Sequence, residues 1–187
     1  MGGRVKSLHP KIHGGILGKR DDHATEAQEH GIGWIDLVVC NLYPFAKTIA
    51  GDCTFDKAIE NIDIGGPAMI RAAAKNVSWV TSCVSPSDYN PLISAITTGS
   101  IPAELRKTLS AKAFAHTAEY DSMIANYLSK GAPVSSTRMT GLDAEDRLSL
   151  RYTKHSDLRY GENPHQTASV YRNTSEASPL LDAIQHQ

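Results

Sequence analysis

Two apolar runs of strand length constrain this chain most. Trp34 to Cys40 reads WIDLVVC, and Ser78 to Val84 reads SWVTSCV. Neither alternates polar with apolar residues. A nearly continuous apolar run marks a strand covered on both faces, as in a parallel sheet. Helix-compatible stretches separate and follow the two runs. Residues 54–61 carry Thr54 as an N-terminal cap, and Pro67 to Asn76 places proline at a first helical position. Ser and Pro signals at 85–89 start another helix. Residues 102–129 form the longest, with Ala113, His116, Thr117, Tyr120, Ile124 and Tyr127 recurring at helical spacing. Residues 21–30 predict one more, with Gly31 as its C-terminal cap. Strand and helix in alternation predict an α/β layer around a parallel sheet. Ligands bind such sheets beyond the carboxyl ends of the strands. The loops NLYPF (41–45) and VSPSDY (84–89) stand there.

Composition narrows the class. Hydrophobic content of 41% and charged content of 21% suit a globular protein. A net charge of -1 supplies no field for nucleic acid or a membrane surface. No apolar run approaches the roughly 18 residues of a membrane-spanning helix, and the N-terminus lacks the apolar centre of a signal peptide. Cys40, Cys53 and Cys83 are odd in number and far apart. They form neither a disulfide framework nor a zinc motif, and they point to a reducing compartment. A dense motif beginning at residue 2 and an abrupt C-terminus read as cuts in a longer protein. Residues 131–141 are small and polar, the composition of a linker. Strand-like pieces and turns follow.

The run Asn61 to Asn76, NIDIGGPAMIRAAAKN, gathers the most chemistry. Asp63 precedes a Gly65-Gly66 turn, and Lys75 closes the helix that follows. Helix capping accounts for both charges in structural terms. A binding role must overcome distance, since Pro67 to Lys75 spans about 13 Å of helix. Either Lys75 reaches back, or the helix is shorter, or two subunits share the site. Arg4, Lys6 and Ser7 alternate along an extended piece, where two cations and a hydroxyl can clamp a phosphate or carboxylate. A solvated loop is the alternative. His9 and His13 lie four apart, but no third ligand accompanies them and a metal is not expected. Tyr43 sits in a strand-end loop, either donating to a ligand or covering the sheet edge. Cys40 ends a buried strand and reads as a small core residue rather than a nucleophile.

Five segments carry a resemblance: GGRVKSLHPKIHGGIL, DLVVCNLYPF, NIDIGGPAMIRAAAKN, AFAHTAEYDSMIANY and LRYGENPHQ. In this order they resemble the bifunctional purine biosynthesis family, AICAR transformylase/IMP cyclohydrolase, over nearly the whole chain. The resemblance implies that residues 1–130 are a cyclohydrolase domain similar to methylglyoxal synthase, lacking its N-terminal part and phosphate loop. It makes 131–145 a linker. Residues 146–187 become the start of a second α/β domain, the cytidine-deaminase-like transformylase. It implies a nucleotide pocket lined by Arg4, Val5, Lys6, Ser7, Cys40, Asn41, Asp63 and Ile64. Ser7 stands where the family usually has threonine, which keeps the hydroxyl. It makes Lys75 the proton donor and acceptor, with Lys6, Tyr43 and Asp63 as further catalytic candidates. Arg159 and Tyr160 would bind AICAR. The ring closure needs no cofactor, whereas the transformylase uses 10-formyltetrahydrofolate. Substrates are purine ribonucleotides, the assembly a homodimer, and the location cytoplasmic. Two other readings stand beside this one: an inactive fragment, or a methylglyoxal-synthase-like domain that only binds a phosphorylated ligand.

Overall fold

The computed structural model describes residues 4–129, 152–172 and 181. The chain divides into two compact units, residues 1–134 and 135–187. The expected linker, 131–145, lies outside the described residues.

In the first unit, helix α1 (Pro10–Leu17) opens on Pro10 and is capped by the His9 ring, which accepts from Lys11 N. Helix α2 (Ala24–Glu29) follows. Gly31 adopts φ +60° after it. There Gly31 N donates to Gln28 O and Ile32 N to Ala27 O, closing the left-handed helix end that the sequence predicts. Strand β1 (Leu37–Val39), helix α3 (Phe45–Ala50), helix α4 (Phe55–Glu60) and helix α5 (Gly65–Lys75) lead to strand β2 (Thr81–Cys83). Helix α6 (Tyr89–Thr97) and helix α7 (Ala103–Ser129) complete the unit.

The two strands pair in parallel, with Leu37 opposite Thr81 and Val39 opposite Cys83, as the apolar runs predict. The expected burial is corrected for β1: β2 is buried throughout, whereas β1 buries Val38 and leaves Val39 53% exposed. Strand β1 is shorter than its run because Ile35 N donates to Gly15 O, and β2 because Trp79 N and Val80 N donate to Asn76 O. Arg20 ties the two approaches together. Its guanidinium donates to Trp79 O at 3.1 Å and Asp36 Oδ1 at 2.6 Å, and it lies over the Trp34 and Trp79 rings.

Helix α5 packs on Val38 and Val80 through Ala72 and Ala73, and on Val84 and on Ala113 of α7 through Ile70 and Ala74, all buried. Small side chains let a helix backbone approach closely. A first core joins Ile16, Val38, Ala72, Ala73 and Val80. A second joins Phe45, Ala58 and Tyr120 from α3, α4 and α7. Helix α7 runs 27 residues, about 40 Å, and buries Leu109, Ala113, Thr117 and Tyr120 along one stripe.

The second unit contains an antiparallel pair, β3 (Thr153–Asp157) with β4 (Ser169–Arg172). Ser169 Oγ donates to Asp157 Oδ1 at 2.8 Å across it. That hydrogen bond, after the one from Lys154, holds the exposed Asp157 carboxyl below its ordinary value.

Candidate functional site

Three separated segments converge on one cavity of about 540 Å³, lined by Arg4, Ser7, Tyr43, Ile59, Glu60, Ile62, Asp63, Ile64 and Gly65. The extended piece expected at Arg4–Ser7 is corrected here. Leu8 N donates to Val5 O, and Lys6–Leu8 form a turn of 3-10 helix. In an extended piece Arg4 and Lys6 would share a face. With about three residues per turn Arg4 and Ser7 do, and these two line the cavity while Lys6 does not. Val5 and Lys6 are exposed. Arg4 forms an ion pair with Glu60 at the end of α4. The cavity thus carries one cation and two carboxylates, with an apolar wall of Ile59, Ile62 and Ile64.

Asp63 organises the start of α5. Its Oδ1 accepts from Gly66 N at 2.8 Å, and its Oδ2 accepts from Tyr43 N at 3.4 Å. Helix α5 begins two residues before Pro67, the expected first position. Proline is tolerated there because the first-turn N–H groups have no partner within the helix. The glycines are required by closeness. A Cβ on Gly65 would strike Ser7 Oγ, and one on Gly66 would lie 2.5 Å from Asp63 Oδ2 and 2.8 Å from Leu42 Cδ2. Gly66→Ala is therefore expected to displace the cap and cost about 2 kcal/mol of stability. A denaturant midpoint equal to that of the unmodified chain would contradict this.

Cys40 and Asn41 follow β1 outside the cavity lining. Burial, and then the Asp63 carboxylate, push the Cys40 thiol above its ordinary value. Cys40 also packs against the core of Ile16, Val38, Ala72, Ala73 and Val80, and against a further cluster of Ile70, Ala74, Val84 and Ala113. Half-buried after a strand that is only partly covered, the thiol packs against apolar neighbours. Asn41 Oδ1 accepts from Leu42 N at 2.8 Å and meets His116 Nε2 at 3.2 Å.

Lys75 is exposed at the last position of α5 and does not line the cavity. It closes a helix of eleven residues that begins beside Asp63, so the two ends lie about 15 Å apart. Next to it, Asn76 Nδ2 donates to Ile16 O at 2.7 Å and Gly18 O at 3.1 Å, fastening this end to α1. The structure thus brings together Arg4, Ser7, Tyr43, Asp63 and Ile64, and leaves Val5, Lys6, Cys40, Asn41 and Lys75 beyond the lining. Arg159 and Tyr160 lie in the exposed turn between β3 and β4. His9 Nδ1 is used as a helix cap. Among the described residues no three His, Cys, Asp or Glu side chains gather as a metal site would require.

Sequence reasoning missed Glu60, Tyr120 and His116. Glu60 carried no motif, and the two α7 residues showed only a helical repeat. Tyr120 is 3% exposed. Its hydroxyl accepts from Asp63 N at 2.8 Å and reaches Asn61 O at 3.5 Å. Burial pushes that phenol above its ordinary value.

An MGS-like domain matches residues 2–68. Among curated proteins, the bifunctional purine biosynthesis protein PurH of Acidithiobacillus ferrooxidans is 53% identical over 99% of this chain. The PurH proteins of Neisseria meningitidis and Thermoanaerobacter are 50% and 49% identical over 98% and 99% of it. The chain spans 36% of the length of each. The crystal structure of ForH superposes with a TM-score of 0.59 at 36% identity, covering 68% of this chain and 69% of that one. The family described as AICARFT/IMPCHase bienzyme matches residues 73–187, more than half the chain, and to that family the chain belongs.

Proposed function

We propose that the first unit closes the purine ring, converting formyl-AICAR to IMP and water. The observation that carries this reading is the cavity where Arg4, Ser7, Tyr43, Asp63 and Ile64 meet from three segments. The substrate holds both reacting groups. Its carboxamide nitrogen attacks its own formyl carbon, and a C–N bond forms. The formyl oxygen then leaves as water, taking one proton from the carboxamide nitrogen and one from the formamide nitrogen. Folding the substrate into near-attack shape supplies much of the rate. The apolar wall of Ile59, Ile62 and Ile64 suits a flat base, and the Asp63 carboxylate and Tyr43 hydroxyl suit its N–H and oxygen groups. Lys6, one residue from Ser7, is the proposed partner of the developing oxyanion. Lys75 is the proposed proton carrier. Val5, Cys40 and Asn41 complete the nucleotide contacts.

The same reading extends to the rest of the chain. Residues 1–130 are the cyclohydrolase, 131–145 a linker and 146–187 the start of a transformylase. In that second part Arg159 and Tyr160 contact AICAR, and 10-formyltetrahydrofolate donates the formyl group. The working form is a cytoplasmic homodimer. No helix among the described residues is long and apolar enough to cross a membrane.

The test supplies formyl-AICAR to the 187-residue chain and follows IMP by chromatography, with IMP binding measured by calorimetry. Turnover together with binding is expected. Neither turnover nor binding would sink the reading, and binding without turnover would leave a nucleotide-binding domain.

A further inference from the structure

We propose that His116 and Tyr120 of α7 are positioning residues that set the two site loops in register for a ligand. The proposal rests on the nucleotide reading of the cavity. The two residues lie one helical turn apart, on the same strip of the helix surface. Each holds a different loop. His116 Nε2 meets Asn41 Oδ1 at 3.2 Å in the loop after β1. Tyr120 OH accepts from Asp63 N at 2.8 Å at the start of α5.

Chemistry fixes how the first contact works. Leu42 N lies 2.8 Å from the same Asn41 atom. A backbone N–H only donates, so that atom is the amide oxygen, and His116 must present a proton at Nε2. The Asn41 amide nitrogen is then turned away from both, with two donors for an acceptor such as a ring carbonyl. The second contact holds the Asp63 backbone, whose carboxylate is left to cap Gly66 and to accept from Tyr43 N. Tyr43 lies two residues beyond Asn41, so the bonds close a circuit. It runs from His116 through Asn41 and Tyr43 to Asp63 and Tyr120, and back along one turn of α7. Neither loop can shift without breaking a bond to the other or to α7.

Tyr120→Phe and His116→Leu test this in the 187-residue chain. Phenylalanine keeps the ring beside Phe45 and removes only the hydroxyl. Each change is expected to weaken IMP binding about tenfold by calorimetry and to speed amide exchange at Asp63 or at Leu42 and Tyr43. The double variant should lose less than the product of the two, because both break one circuit. His116→Gln, which restores a donor, should recover most of the affinity. A lowered thermal midpoint with IMP affinity unchanged would show a merely structural role and overturn the proposal. If the unmodified chain binds no IMP, the nucleotide reading fails by itself. The register is then decided by exchange, and unchanged exchange at Leu42, Tyr43 and Asp63 overturns it.

Discussion

IMP formation is expected to fall about 10²–10⁴-fold when Lys75 is replaced by alanine, the loss typical of removing a proton-transfer group. Stability should hardly move. Lys75 is exposed at the last position of α5, where a cation favours the helix end by about 0.3–1 kcal/mol. The contrast between a large rate effect and a small stability effect separates catalysis from capping. An unchanged rate, in this chain and in a version matched to its relatives' length, would remove Lys75 from the mechanism. The geometry adds a condition. Lys75 stands about 15 Å along α5 from the Asp63 end, so a second chain is one way to bring it to the cavity. Light scattering decides this. A monomer that still depends on Lys75 must bring the ammonium back along its own chain.

Phe45→Ala is expected to destabilise the first unit by about 3–5 kcal/mol, the cost of emptying a large aromatic site. Phe45 is 1% exposed. Its ring meets Tyr120 edge-on at 6.2 Å and Tyr127 at 5.6 Å, pairings worth about 0.5–1.5 kcal/mol each beyond burial. Because Tyr120 also holds Asp63 N, the vacancy should loosen the site as well as the core. A chemical denaturation midpoint close to that of the unmodified chain would contradict the assignment.

The α/β class was legible because buried parallel strands need continuous apolar runs, and residues 34–40 and 78–84 supply them. The Thr54 cap and the Gly31 helix end were legible because each uses a residue whose local chemistry decides the geometry. Helix α1 was not foreseen. It carries Gly14 and Gly15 in its interior, each costing about 1 kcal/mol of helix propensity. Tertiary contact overrides that cost. Gly15 is buried under Gly33 O, where no Cβ fits, and its own carbonyl accepts from Ile35 N at 3.1 Å. Helix α3 was hidden for a related reason. It is six residues after a proline, held by the burial of Phe45. In the site, Asp63 was visible from its place before two glycines. Its partners were not, since Tyr120 and His116 approach from residues more than fifty positions away. Spacing along a chain carries no signal for a bond of that reach.

The pairing of β1 with β2 has a consequence for handling the protein. Each described strand has one strand neighbour, and Val39 at the end of β1 is 53% exposed. Unpaired strand edges with an open apolar residue template pairing between molecules. Self-association at high concentration is therefore expected to run through the open edge of β1. Lysine at position 39 is the substitution that opposes such pairing, by charging the strand end and leaving its backbone bonds to β2 intact.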